Sequence, residues 1–253
     1  GSRRVTDAEI RRPADAQPLV HSTPPPEGAP NHVAIIMDGN RRWARGRNLD
    51  EIEGHVAGTE ALRTVLKHAV QIGIPHLTVY AFSRENWARS DKEVAQLFNL
   101  LAKVIDDETP ELLRQGVAVR FLGRLAELPE QAQERIAAAC AKTVGGTKLQ
   151  LAVAFNYGSR TEIVDAVRSI AAAGLSPESI DEGTIASALY TAGTPDPDLV
   201  IRTGGEERLS NFLLWQSAYA EIVTTATLWP DFGAADLDAA IATYTQRIRR
   251  FGR

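Results

Sequence analysis

The chain has 253 residues, 44% apolar and 24% charged, an ordinary globular composition with length enough for one large buried core. Its 28 basic and 32 acidic residues leave a net charge of −4, which excludes the overall basic footprint of a nucleic-acid-binding protein, and no apolar run approaches the roughly 20 residues that span a bilayer. The single cysteine, Cys140, excludes an intrachain disulfide and a cysteine-based metal site, and is compatible with a reducing, cytoplasmic setting.

In chain order, residues 1–30 lack hydrophobic periodicity and contain Pro24-Pro25-Pro26-Glu27-Gly28, which predicts a disordered N-terminal arm ahead of one domain over 31–253. A continuous apolar run predicts a buried strand over 33–37. Further strands are expected over 76–82, 117–122, 149–155, 198–202 and 222–228. Helices are expected over 56–72 (stopping before Gly73), from 91, over 129–143, from 160, over 180–191 and over 233–250. The runs Ser90-Asp-Lys-Glu93 and Ser159-Arg-Thr-Glu162 have the form of capping boxes. Strands alternating with helices predict βαβ units, and so a single α/β domain with a mainly parallel six-stranded sheet flanked by helices.

In a parallel sheet the segments that follow the strands gather at one edge, where open α/β proteins bind ligands. Here those segments are polar and carry arginine: Asp38-Gly39-Asn40-Arg41-Arg42-Trp43, Ser83-Arg84-Glu85-Asn86-Trp87-Ala88-Arg89, Asn156-Tyr157-Gly158-Ser159-Arg160, and Arg202 through Asn211. The first offers a carboxylate for a divalent cation, a glycine for close backbone approach and guanidiniums for phosphate oxygens. Alone, it also describes an ordinary strand-end turn with a solvated arginine pair. Four such ends in one sheet describe a pocket for more than one phosphate group. There is no P-loop, no dinucleotide glycine motif and no nucleophile elbow. Asp106-Asp107-Glu108-Thr109-Pro110 lacks the last acid of an aspartate-rich motif.

Seven motifs in order resemble the cis-prenyltransferases, the family that includes undecaprenyl diphosphate synthase. They are His32-Val-Ala-Ile-Ile-Met-Asp-Gly-Asn40, Gly54-His55, Tyr80-Ala-Phe-Ser-Arg-Glu-Asn-Trp87, Asn156-Tyr-Gly158, Asp198-Leu-Val-Ile-Arg-Thr-Gly-Gly-Glu206, Asn211-Phe-Leu-Leu-Trp-Gln216, and Tyr219-Ala-Glu221 through Trp229-Pro-Asp-Phe232. The resemblance covers about residues 31 to 253. It implies a Mg²⁺-dependent enzyme that extends an allylic diphosphate primer, farnesyl or geranyl diphosphate, with isopentenyl diphosphate, creating a cis double bond and releasing diphosphate at each step. The implied product is a polyprenyl diphosphate of the undecaprenyl or decaprenyl type, a cell-wall lipid-carrier precursor. A short Z,E-farnesyl-type product is the alternative. A non-catalytic partner subunit is a weaker one, since Asp38, Asn86 and Arg202 are all present.

By motif match, Asp38 and Glu221 hold the metal, and Gly39, Asn40, Arg41, Arg42, Trp43 and His55 cradle the primer's diphosphate. Arg202, Arg208, Leu209 and Ser210 take the diphosphate of isopentenyl diphosphate. Asn86 acts as an orienting amide, with Ser83, Arg84, Glu85, Trp87 and Arg89 beside the substrates. Trp43, Phe82 and Trp87 are candidates to shield an allylic cation. The resemblance also implies a homodimer whose sites are completed in trans by Arg250-x-Gly252, with Phe212-Leu213-Leu214-Trp215 in its apolar contact. It further implies a cytoplasmic protein that meets the inner face of the membrane peripherally through its product. Three positions depart from the family pattern. Glu51 stands where many members carry Arg, and is expected to point away from the diphosphate with Arg47 as substitute. Glu207 stands where many carry His. Arg41 stands where Gly is common in long-chain synthases. Ala81 favours a long product, whereas Phe155 and Arg41 pull towards a short one.

Overall fold

A computed structural model describes residues 24–88 and 90–251, with side chains as far as Arg247. Its six strands are β1 (His32–Ile36), β2 (His76–Ser83), β3 (Val117–Leu122), β4 (Leu149–Tyr157), β5 (Leu199–Arg202) and β6 (Glu221–Thr224). They form one sheet in the order β3-β4-β2-β1-β5-β6, with every pairing parallel. Every residue of β1 is buried, as a strand covered on both faces requires. The helices are α1 (Asn40–Arg45), α2 (Glu51–Gln71), α3 (Asp91–Gln115), α4 (Glu130–Thr143), α5 (Ser159–Ala172), α6 (Glu182–Ala188) and α7 (Ala234–Phe251). One face of the sheet packs the main apolar cluster against α2, α3, α4 and α7; the other packs a smaller one built on Ala34, Tyr157, Phe212 and Leu213.

Several boundaries differ from the sequence expectation, each for a local reason. Helix α2 begins five residues early, at Glu51, because Gly54 and Gly58 interrupt the apolar period while letting α1 press against the helix. A Cβ at Gly54 would collide with the carbonyl of Asn40. Strand β6 stops at Thr224 rather than 228. Beyond it the carbonyls of Thr225 and Thr227 turn aside to accept Gly205 N–H and Gly204 N–H, both at 2.8 Å. Helix α6 is confined to Glu182–Ala188, closed by a true capping box between Asp181 and Thr184. The box expected at Ser159–Glu162 does not form. Gly158 is the N-cap, Ser159 Oγ accepts Leu214 N–H at 3.0 Å, and Glu162 is buried beneath Tyr157, Gln216 and Tyr190 N–H. At Ser90 half of the box forms: its hydroxyl accepts Glu93 N–H at 3.3 Å. Of the expected N-terminal arm, residues 1–23 lie outside the described residues. Its last two residues belong to the body instead: Pro30 is buried and Ala29 packs on the main core.

Two irregularities between β2 and β4 matter for the site. Tyr80 and Phe82 pair with the consecutive residues Ala154 and Phe155, so Ala81 is bulged; Ser83 then pairs with Tyr157, so Asn156 is bulged in turn. Each extra residue reverses the in–out alternation. Phe82 therefore joins Val79 on the main-core face, and Tyr157 turns to the opposite face, away from Phe155. The segment 212–215, expected at a dimer contact, is mostly internal: Phe212 and Leu213 are fully buried and Trp215 packs beside α5 and α6. Leu214 is its one exposed large side chain, near the exposed Tyr219 and Ile222 in sequence.

At the opposite, N-terminal edge of the sheet, His32 is buried between Pro195 O (2.6 Å from Nδ1) and Thr78 Oγ1 (2.7 Å from Nε2), with the His76 ring 6.0 Å away. Burial is the main cause that pushes both imidazoles from 6.5 down to about 4; His76 in His32's case, and Arg120 in His76's, add to the depression. Between those two pH values the unfolded chain binds the protons and the folded chain does not, so stability falls as pH drops from 6.5 towards 4, and no further on this account below 4. The span corresponds to about 3 kcal/mol for His32. We expect urea midpoints to decline across this window, and to decline less steeply in His32→Gln. Equal slopes in the two proteins would show that the acid sensitivity resides elsewhere.

Candidate active site

The ends of β4, β2, β1 and β5 are adjacent in the sheet, so the four polar segments singled out in the sequence do meet at one edge. At their centre Arg202, only 5% exposed, donates from Nη2 to Asp38 Oδ2 at 2.9 Å. Its Nη1 donates to Ser210 Oγ at 2.6 Å and to the carbonyl of Arg208. The other oxygen of Asp38 faces Arg42 Nη2 at 3.3 Å, and Arg42 Nη1 donates to Gly204 O at 2.7 Å. The backbone of Asp38 is fixed by Thr203, whose hydroxyl accepts Asp38 N–H at 2.9 Å and donates to Asp38 O at 2.7 Å. Gly39 then turns at φ +117°, a conformation that favours glycine, and launches α1.

The segment after β1 opens onto two joined chambers. One, of about 280 Å³, is lined by Met37, Asp38, Gly39, Asn40, Arg41, Arg42, Arg45 and His55. The other, of about 170 Å³, is a tunnel between the sheet and helices α2 and α3, with walls that include Leu62, Leu97, Leu101, Ile105, Val153 and Phe155. Met37, Asn40 and His55 belong to both and form the junction. Because of the bulge, Ala81 and Phe82 both line the tunnel; Phe82 stacks on Phe155 at 5.0 Å and meets Trp87 edge-on at 5.7 Å. A cationic head chamber continuous with a long apolar tunnel is complementary to an anionic head carrying a hydrocarbon tail.

The remaining expected residues distribute unevenly. Asn86 Oδ1 accepts Ser83 N–H at 2.9 Å, which closes the 3-10 turn Arg84–Ala88 and fixes the amide's orientation. Trp87 Nε1 donates to Asn156 Oδ1 at 2.8 Å, and Arg84 pairs with Glu127 at 2.6 Å. Glu85 accepts from Asn211 at 3.0 Å. Arg208 pairs with Glu206 on the surface, and Leu209 packs into the smaller core. Glu207 is exposed. Arg89 and Gly252 lie outside the described residues, as does the side chain of Arg250.

Three of the expected residues have other partners within this chain. Trp43 lines neither chamber: its indole donates to Asp231 at 2.8 Å, and the guanidinium of Arg47 lies 4.1 Å over its ring. Arg47 is thereby occupied away from the head chamber, which Arg41 and Arg45 line. Glu221 starts β6 opposite Leu199, whereas Arg202 ends β5. Three residues at about 3.3 Å each place Glu221 roughly 10 Å below the level of Arg202 and Ile36 in the same chain, where it pairs with Arg247 at 3.1 Å. Sequence inspection also missed Thr203 and Asn156 as braces. Asn156 is fully buried with φ +49°, accepts from Trp87, and donates to Arg124 O at 2.8 Å and to Glu127 at 2.9 Å. A polar residue directly after an apolar strand was the available signal.

The model of one protein family, described as "Putative undecaprenyl diphosphate synthase", matches residues 36–252. The chain belongs to the isoprenyl transferase family. An isoprenyl transferase of Heliobacterium mobile is 50% identical, over 96% of this chain and 95% of that protein. One of Brucella abortus is 52% identical, over 88% of this chain and 89% of the relative. Among solved structures, lavandulyl diphosphate synthase from Lavandula x intermedia in complex with dimethylallyl diphosphate superposes with a TM-score of 0.84 at 39% identity, covering 87% of this chain and 97% of the other. A probable undecaprenyl diphosphate synthase from Campylobacter jejuni gives 0.75 at 30% identity, covering 88% and 99%. This isoprenyl transferase is therefore a prenyl-group-transferring enzyme, with the six-stranded parallel α/β fold that its sequence pattern predicts.

The Thr203 brace is testable directly. Thr203→Val keeps the shape but removes one hydrogen bond from Asp38 N–H, which keeps Ile36 O at 3.1 Å, and one from Asp38 O, which keeps Trp229 N–H at 3.0 Å, at a cost of about 1–3 kcal/mol for the two bonds. Urea unfolding measures it; a cost below about 0.5 kcal/mol would mean that the bonds to Ile36 and Trp229 hold the Asp38 backbone without the hydroxyl.

Proposed function

We propose that this enzyme condenses isopentenyl diphosphate with an allylic diphosphate primer, farnesyl or geranyl diphosphate, to make a cis-polyprenyl diphosphate. The observation that carries the proposal is the cationic chamber opening, through Met37, Asn40 and His55, into an apolar tunnel. The primer's diphosphate lies among Gly39, Asn40, Arg41, Arg42 and His55, with its hydrocarbon in the tunnel. The allylic ligand named for the lavandulyl diphosphate synthase complex is of the same chemical class.

Mg²⁺ is the cofactor this chemistry calls for. Among the described residues no three or more His, Cys, Asp or Glu side chains gather. A single partly exposed carboxylate, Asp38, suits an ion that arrives on a diphosphate, because Mg²⁺ characteristically combines one or two carboxylates with phosphate oxygens. Bound there, the ion would neutralise the leaving diphosphate. The chain's own residues do the rest. Arg202, Arg208 and Ser210 take the second diphosphate; Arg202 Nε–H is buried without a protein acceptor, the donor a phosphate oxygen would complete. The primer's C–O bond breaks, diphosphate leaving with its electron pair, as the new C–C bond forms, and the proton lost from the isopentenyl unit passes to the departing diphosphate. Asn86 is a poor base, and its fixed amide serves to orient the substrate rather than take that proton. Phe82 and Trp87 shield the electron-deficient allylic carbon from water.

A long product is favoured by the tunnel's reach. Its lining runs along α3 from Leu97 to Leu112, fifteen residues or roughly 22 Å at 1.5 Å per residue. The chain works as a homodimer in this proposal, with Leu214, Tyr219 and Ile222 as its exposed apolar contact, and touches a membrane only through its product.

Radiolabelled isopentenyl diphosphate with each primer tests the proposal, and chromatography of the products gives their length. Arg202→Ala should raise the KM for isopentenyl diphosphate at least tenfold and that of the primer much less. The reverse pattern would exchange the two diphosphate assignments. Ala81→Leu, which narrows the tunnel where the bulge exposes it, should shorten the product; an unchanged length distribution would place the limiting wall elsewhere.

A further inference from the structure

A carboxylate stands directly behind the cationic chamber. Glu51, the first residue of α2, does not line the chamber, yet it holds two of the guanidiniums that do. Arg41 donates to it from Nε at 2.6 Å and from Nη2 at 3.3 Å, and Arg45 donates from Nε at 2.9 Å and again from Nη2. Both arginines come from α1, a six-residue helix that could not by itself fix two long side chains. Each would otherwise sample many rotamers in solvent, and ordering them would have to be met by the ligand on binding. A carboxylate between two planar guanidiniums restricts both, since each donor pair is directional.

The charges facing the pair are few. Glu93, from the first turn of α3, lies 3.8 Å from Arg41 Nε. Asp38 is engaged by Arg42 and Arg202 on the far side of α1. Glu51 is held below the usual carboxylate range, chiefly by the Arg41 hydrogen bond, so it stays ionised at neutral pH.

We propose that Glu51 is a positioning residue for the diphosphate: it presents Arg41 and Arg45 as a pre-arranged two-guanidinium clamp on the rim of the head chamber. The identity of the ligand rests on the function proposed above. A negative charge near an anion thereby aids its binding, because the two cations it orders outweigh its own repulsion. The opposite view, that Glu51 merely opposes the diphosphate, makes the opposite prediction.

Glu51→Gln should raise the primer KM about tenfold and weaken binding of inorganic pyrophosphate by a similar factor in calorimetry. kcat, the KM for isopentenyl diphosphate and the melting temperature should stay close to the parent's. In an Arg41→Ala/Arg45→Ala background the same Glu51→Gln change should raise neither value further. A KM that is unchanged or lower in the single variant overturns the proposal in favour of simple repulsion. A tenfold rise that persists in the arginine-free background also overturns it, since Glu51 would then act on something else. If the parent turns over no allylic diphosphate, the functional assignment fails, and the pyrophosphate affinities alone still decide whether the clamp exists.

Discussion

The contact between Arg202 and Asp38 ties together the two strand ends on which the site is built. A guanidinium 5% exposed needs a carboxylate close by, and here the partner is on the neighbouring strand's exit loop, 2.9 Å away. Such pairs contribute little net stability, because desolvation offsets most of the attraction. What the pair supplies is orientation. Arg202 also grips the 208–210 turn, and Asp38 also faces Arg42, so β1, β5, α1 and the loop after β5 are fixed relative to each other through one pair of side chains. That loop carries positive φ at Ser210, Asn211 and Leu213, non-glycine residues in a conformation that costs free energy and persists only when surrounding contacts enforce it.

Around that pair the sheet makes a division of labour possible. The ladder edge facing the loops is polar and holds charge, while the face beneath α2 and α3 is apolar and long. The two bulges connect these regions. By reversing side-chain direction at Ala81 and again at Asn156, they turn Phe82 towards the tunnel and Tyr157 away from it, and leave the Asn156 side chain free to brace Trp87. A regular ladder would put Phe82 on the opposite face.

The cationic chamber shows a second layer of organisation. Its arginines are held from behind, Arg42 by Asp38 and Gly204 O, and Arg41 and Arg45 by Glu51. Net charge is therefore a poor guide to such a site: the chain is acidic overall, and carboxylates near the pocket serve to aim cations. The same holds at Trp43, an aromatic beside a charged loop that is committed to Asp231 and Arg47.

The sequence by itself determined the fold class, the strand count and the edge at which function gathers. Apolar runs too short for helices, alternating with amphipathic segments, admit little besides a covered parallel sheet, and the polar residues after β1, β2, β4 and β5 cannot be buried elsewhere. It also determined which segments meet at that edge, since those carrying Asp38, Asn86 and Arg202 lie at or just after the ends of β1, β2 and β5. Only the tertiary structure decided the rest. The dual role of Glu51, the loss of Trp43 and Arg47 from the chamber, and the separation of Glu221 from Asp38 depend on which side chains from distant segments come within hydrogen-bonding distance. The early start of α2 and the short β6 depend likewise on close approach of α1 and on loop carbonyls that leave the ladder. Periodicity reports which face of an element is buried, but a charged side chain's partner is set by a few ångströms of three-dimensional placement, which local sequence does not encode.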